Sequence, residues 1–147
     1  NKLLDGKDLN TLELINIFGY EVKNELPVFY NQDWYVKHKF MSKSLDVKWY
    51  LLKKSRFKGS AGLLPEQNQY ERLPSTILCT YAFFVYWILN KEILWGKTYI
   101  WSKDLDDYGD RIYIGKYRDE TGVNKDGYSI HRHLSIKNHF GIIEFKS

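Results

Sequence analysis

STILCTYAFFVYWILNKEILWG, residues 75–96, decides the fold. From Thr76 to Leu89, 12 of 14 residues are apolar, which leaves no polar stripe to face water. Pro74 suits the first turn of a helix and Gly96 suits its end, so a helix is predicted between them. A membrane span needs about 20 apolar residues, and Asn90, Lys91 and Glu92 stop this run short. Two threonines and two tyrosines inside it ask for the hydrogen-bond partners of a protein interior. The run reads as a central core helix, buried on most sides.

Beyond Gly96 the apolar pattern changes period. TYIWS, RIYIGKY and YSIHRHLSI read as strands, joined by KDLDDYGD and then by RDETGVNKDG. Short Asp-, Gly- and Asn-rich connections between β-type runs favour an antiparallel meander, and FGIIEF supplies a last strand to close the sheet. Upstream, DLNTLELINIFGY is an amphipathic helix with Asn10 or Thr11 as cap and Gly19 as stop. LPVFYNQDWY reads as extended chain and turn, MSKSLDVK as a helical turn capped by Ser42 or Ser44, and WYLLKK as a strand. Residues 57–74 hold two glycines and two prolines and form a long loop, of the kind that is often functional or mobile. The expected architecture is α+β: a curved antiparallel β-meander packed on one nearly all-apolar helix, with short N-terminal helices.

The chain of 147 residues is long enough for one globular domain with a real core. Aromatic residues are 17% and apolar residues 44% of it, a composition that excludes disordered and collagen-like classes. Cys79 is the single cysteine, so no intrachain disulfide can form and nothing points to an oxidising compartment. With no leader pattern at the N-terminus, a cytoplasmic location is expected. With Asn1 in place of Met, a fragment of a longer protein is one expectation. The net charge of +4 is unevenly spread. Residues 36–58 carry eight Lys or Arg and one acid, Asp46, whereas residues 103–110 carry four aspartates and one lysine. The simplest expectation is that these two segments pack together and neutralise each other.

Three places could carry chemistry. In the acidic turn, Asp104, Asp106 and Gly109 match positions one, three and six of a calcium-loop pattern, but Tyr108 and Gly115 stand where further ligands belong. The same residues are what a solvated hairpin turn requires. In SIHRHLSI, strand alternation puts Ser129, His131, His133 and Ser135 on one face and Ile130, Arg132, Leu134 and Ile136 on the other. Histidines at i and i+2 stand about 6.5–7 Å apart and could share a metal with Asp104, Asp106, Asp110 or His139. Arg132, between apolar neighbours, should snorkel or pair with a carboxylate. The third place is the basic, aromatic-rich stretch, in which Lys37, Lys39, Lys53, Lys54, Arg56 and Lys58 are the candidates for nucleic-acid contact. Signatures for nucleotide-binding loops, nucleophile elbows and metalloproteases are missing.

WYLLKKS, LPSTILCTYAFFVYWI and SKDLDDYGDRIYIGKY together resemble a pattern in a family of uncharacterised bacterial proteins, over Trp49 to Tyr117. The chain departs from that pattern at Lys103 and at Thr76. The resemblance implies a bacterial origin and a hairpin from Asp104 to Arg111 that recurs as a unit; it implies no activity. The leading expectation is a non-catalytic interaction domain without a cofactor, bound to a protein partner or to itself and not to a membrane. The alternative is a metal-assisted hydrolase or nucleic-acid-processing module. In it Asp104, Asp106, Asp110, His131 and His133 would bind a divalent metal, His131, His133 and Asp110 would move protons, and Arg111 or Arg132 would stabilise an anion. A simple nucleic-acid-binding module is the third class.

Overall fold

The structure is a computed structural model and describes residues 2–22, 26–68, 72–132, 138 and 140–146. In chain order the elements are helix α1 (Thr11–Phe18), a 3-10 turn (Lys39–Ser42), strand β1 (Leu51–Leu52), a second 3-10 turn (Pro65–Asn68), helix α2 (Thr76–Asn90), and strands β2 (Tyr99–Leu105), β3 (Arg111–Gly115), β4 (Ser129–His131), β5 (Phe140–Gly141) and β6 (Phe145–Lys146). The main sheet has the order β4-β3-β2-β5. Its first three members form the expected antiparallel meander, and the fold is α+β. FGIIEF does not act as one closing strand. Its start, β5, runs parallel to β2, and its end, β6, crosses to pair with β1 in a separate two-stranded sheet. Gly141 leaves room for the loop that packs on it: a Cβ there would fall 2.6 Å from the Arg56 side chain and 2.9 Å from the Ser60 hydroxyl.

Alternation splits the sheet into two faces. Ile100, Ile112, Ile114 and Ile130 face α2 and join the larger core with Phe29, Phe83, Phe84 and Tyr128. Tyr99, Trp101 and Tyr113 point the other way and form a second core with Leu73, Phe140 and Ile142. The long loop covers this second face. Trp101 donates its indole N–H to the Leu63 carbonyl (3.1 Å), and the buried Ser60 hydroxyl accepts from the N–H of Ile142 (3.0 Å). The loop is thus anchored at Ser60, Leu63 and Leu73, while Phe57, Lys58, Ala61 and Leu64 stay exposed; residues 69–71 lie outside the described residues.

The helix ends obey local chemistry, with some differences from the expectation. Asn10 caps α1 by accepting from the N–H of Glu13, and Gly19 closes it in the left-handed region (φ 68°). In α2 the cap is Ser75, whose hydroxyl accepts from the N–H of Leu78, so Pro74 stands one residue outside the helix. The helix stops at Lys91 rather than Gly96. Lys91 adopts φ 58° and donates its N–H to the Trp87 carbonyl (2.8 Å). The turn near residue 41 begins earlier than expected, after His38, and Ser42 ends it instead of capping it.

α2 also departs from the expectation of burial on most sides. Its first turns, from Thr76 to Thr80, are buried under the sheet, as are Phe83 and Phe84. On the same helix Tyr81, Ile88 and Leu89 are exposed, Leu89 by 75%. The apolar sequence is longer than the sheet that covers it. Among the described residues no helix is long and apolar enough to cross a membrane.

Candidate functional site

The acidic turn is built from the irregular end of β2. Trp101 pairs with Tyr113 and Leu105 with Arg111, so four steps on β2 oppose two on β3. Such a bulge re-aims side chains, and here it turns Ser102 and Asp104 towards the start of α2. Asp104 is buried. One of its oxygens accepts from the N–H of Thr76 (2.7 Å) and from the Ser102 hydroxyl, and the other takes the Lys43 ammonium (2.8 Å). Thr76 and Ser102 exchange a further hydrogen bond between their hydroxyls (2.9 Å). The carboxylate thus meets an unpaired N–H at a helix N-terminus, where a negative charge is favoured.

Asp106 closes the turn itself. Its Oδ1 accepts from the N–H groups of Tyr108 (2.8 Å) and Asp110 (2.9 Å), and its Oδ2 pairs with Arg132. Gly109, at φ 94°, supplies the left-handed residue that this turn needs. Burial raises the Asp106 pKa, but the Asp110 and Tyr108 N–H groups and the Arg132 guanidinium outweigh it and hold the carboxyl below its ordinary value. Arg132 lies 4.0 Å from Asp110 and is stacked between Trp34 (4.7 Å) and Tyr108 (5.3 Å). Asp107 accepts from the N–H of Lys39, and its own N–H donates to His38 Nδ1. The basic segment and the acidic turn therefore do pack together, through Lys43, Lys39 and His38. The expected solvated hairpin holds only in part: Asp107, Tyr108 and Gly109 are exposed, whereas Asp104 and Asp106 are buried.

Proposed metal ligands fall in different places. Asp104 faces α2, whereas His131 lies on the opposite face of the sheet, edge-on to Tyr99 (5.3 Å) and beside Tyr113 (6.1 Å). His133 and His139 lie outside the described residues. Among the described residues no group of three His, Cys, Asp or Glu side chains is placed to hold a metal ion. Burial, and secondly the Lys116 charge, push the His131 imidazole down to about 4. Arg111 is held by Glu66 through two donors (2.7 and 3.1 Å). Cys79 is fully buried, and burial raises its thiol pKa well above the ordinary value.

Of the six basic candidates, three have side-chain partners among the described residues. Lys53 pairs with Glu144 (2.7 Å), Lys54 donates to the Tyr86 hydroxyl (2.8 Å), and Arg56 donates to the carbonyls of Asn138 and Phe140. Lys37, Lys39 and Lys58 are exposed.

Sequence reasoning missed two places. One is the apolar groove of about 400 Å³ between the N-terminal segment, α1 and α2, lined by Leu4, Leu14, Ile17, Tyr81, Val85 and Ile88. Tyr81, Val85, Ile88 and Leu89 stand at i, i+4, i+7 and i+8, a single helical stripe that an all-round apolar helix conceals in sequence. The other is a polar cavity in front of His131, walled by the connection between β3 and β4. Lys116 and Arg118, alternating at the end of β3, were its one sequence signal. Comparison with known proteins adds nothing to this geometry: no family model, no curated protein and no solved structure matches the chain.

Proposed function

We propose that this chain is a non-catalytic interaction domain that binds another protein chain, a second copy of itself in the first instance, through the exposed face of α2. One observation carries the reading: the second half of α2 continues the apolar pattern after the sheet has ceased to cover it. Ile88 is 46% exposed, Leu89 75% and the neighbouring Ile17 of α1 55%. Scattered apolar residues are ordinary on a surface, but a contiguous face beside an apolar groove marks interaction sites. A helix laid into such a groove uses anchors at i, i+4 and i+7, the spacing already present on α2.

The chemistry of the acidic turn supports the same reading. Asp104 and Asp106 spend their oxygens on Lys43, Thr76, Arg132 and the turn's own N–H groups, which is structural work. The bacterial origin and cytoplasmic location belong to the proposal as well. They rest on the resemblance over Trp49 to Tyr117 and on the single, buried cysteine.

Light scattering on the purified chain across a concentration series tests the idea. Association should appear as concentration rises, and the Ile88→Glu/Leu89→Glu double variant should weaken it at least about tenfold, a loss of roughly 1.4 kcal/mol. Both positions are exposed, so the melting temperature should stay nearly unchanged. A chain that is monomeric throughout, with the variant indistinguishable, removes self-association as the function.

A further inference from the structure

The connection from residue 116 to residue 128 borders an open cavity of about 260 Å³ on the side of the sheet opposite α2. Ser129 and His131 of β4 and Tyr99 of β2 form its floor, and it shares no residue with the apolar groove. Lys116, Arg118 and Lys125 line it against one carboxylate, Asp119. That carboxylate is already occupied by the N–H groups of Thr121 and Asn124 and by the Thr121 hydroxyl. Lys43, Lys53, Lys97, Arg111 and Arg132 each have a carboxylate partner. Among the described residues no carboxylate lies within ion-pair distance of Lys116, Arg118 or Lys125. Three unpaired cations around one concavity repel each other and favour an anion from outside.

The backbone adds an independent sign. Gly115 and Lys116 are consecutive residues in the left-handed region, at φ 111° and 38°. Such a conformation is costly for lysine and clusters at binding sites. It turns the chain out of β3 and sets the Lys116 ammonium 5.9 Å from the centre of the Tyr99 ring. Among the other lining residues Tyr30 is half-buried, whereas the Tyr99 ring lies buried beneath Lys116 and the Tyr117 ring stacks on Phe83. Gln32 lines the same wall, and its side-chain oxygen is buried without a hydrogen-bond partner. Because burial keeps His131 uncharged near neutral pH, it completes the floor without adding a fourth cation.

The geometry points to a binding site for a small organic phosphate that carries a planar ring, of the size of a nucleoside monophosphate. Its phosphate lies among Lys116, Arg118 and Lys125, and its ring lies against Tyr30. Arginine matches phosphate with paired donors, a tyrosine face stacks on a planar ring, and an open cavity of this size suits one small molecule.

Calorimetric titration of the purified chain tests it with four probes: adenosine 5′-monophosphate, adenosine, inorganic phosphate and benzoate. The expected result is saturable binding of the nucleotide, with the other three at least about tenfold weaker. The Lys116→Ala/Arg118→Ala variant should lose at least about tenfold in nucleotide affinity, while Lys37→Ala/Lys58→Ala, on unrelated surface, should lose none. Should the first variant fail to fold, the NMR signals of His131 and Tyr99 in the unaltered chain must shift with nucleotide. The proposal is overturned by no saturation below about 10 mM, by phosphate or benzoate binding as tightly as the nucleotide, by equal loss in the Lys37/Lys58 variant, or by unshifted His131 and Tyr99 signals.

Discussion

Asp106 shows how one side chain can serve as both turn and clamp. Its oxygens hold the N–H groups of Tyr108 and Asp110 and the guanidinium of Arg132, which ties the β2–β3 turn to the end of β4. Asp106→Asn keeps an acceptor for the turn but removes the charge opposite a partly buried arginine. Breaking a buried pair by one partner costs about 3–5 kcal/mol; Arg132 is a quarter exposed, so a loss of about 2 kcal/mol in urea unfolding is expected. A loss near zero would mean that Trp34, Tyr108 and water hold Arg132 unaided. His131 carries the second residue-scale prediction. Its folded pKa of about 4 lies below the 6.5 of the unfolded chain. As pH falls from 6.5 to 4 the unfolded state takes the proton first, so stability declines across that window. The contribution lost is up to about 3 kcal/mol at roughly 1.4 kcal/mol per pH unit. His131→Gln should flatten the profile between those limits. Profiles of equal slope would assign the acid sensitivity elsewhere, since the Asp106 contribution is lost only below its ordinary carboxylate range.

At the scale of elements, the local code was strong wherever the deciding atoms are near in sequence. Asn10 and Gly19 bound α1, and Gly109 turns β2 into β3, because caps and turns are satisfied within a few residues. The end of α2 was misread because Lys91 takes the left-handed residue's place without being glycine; its N–H still reaches the Trp87 carbonyl, and its ammonium lies 4.3 Å from the centre of the Trp87 ring. The two-residue bulge in β2 was also illegible. Nothing in SKDL says that Ser102 and Asp104 will reach Thr76, and without that bond Asp104 looks like a solvated or metal-binding acid. The end of β3 gives the sharpest element-scale prediction. Gly115 lies at φ 111°, and a Cβ there would sit 2.7 Å from the Thr98 carbonyl oxygen. Gly115→Ala meets both strain and a backbone clash, and should cost about 2 kcal/mol or more. Gly109→Ala shares the left-handed φ but has open space around its Cβ, so it should cost less, about 1 kcal/mol. Chemical denaturation of the two variants separates sterics from backbone strain; equal costs would show that the Thr98 carbonyl gives way.

For the whole molecule, the division of the chain into a helix-backed meander was readable from the change of period after Gly96, since period 2 and period 3.6 bury different sets of residues. The site was less readable, because its parts meet only through long-range contacts. Lys43 joins Asp104 across 61 residues and Arg132 joins Asp106 across 26. The fate of FGIIEF was hidden for the same reason: parallel pairing with β2 and the crossing to β1 depend on where residues 51–62 have gone. This partition predicts an uneven stability. The larger core, with Ile112, Ile114, Phe83, Phe84 and Tyr128 essentially inaccessible, sits between α2 and β2–β3–β4. The β1–β6 pair has two residues a side, Leu51 is 68% exposed, and Lys53–Glu144 contacts extend it. Short strands of this kind are marginal alone. Native-state hydrogen exchange should therefore place the slowest amides in residues 76–84, 99–101 and 111–115, opening only with global unfolding. Amides of residues 51–53 and 145–146 should exchange by local opening, at least about 100-fold faster. Uniform protection across both sets would show that the small sheet and the main core unfold as one unit, and that the long loop with its Ser60–Ile142 and Trp101–Leu63 bonds couples them.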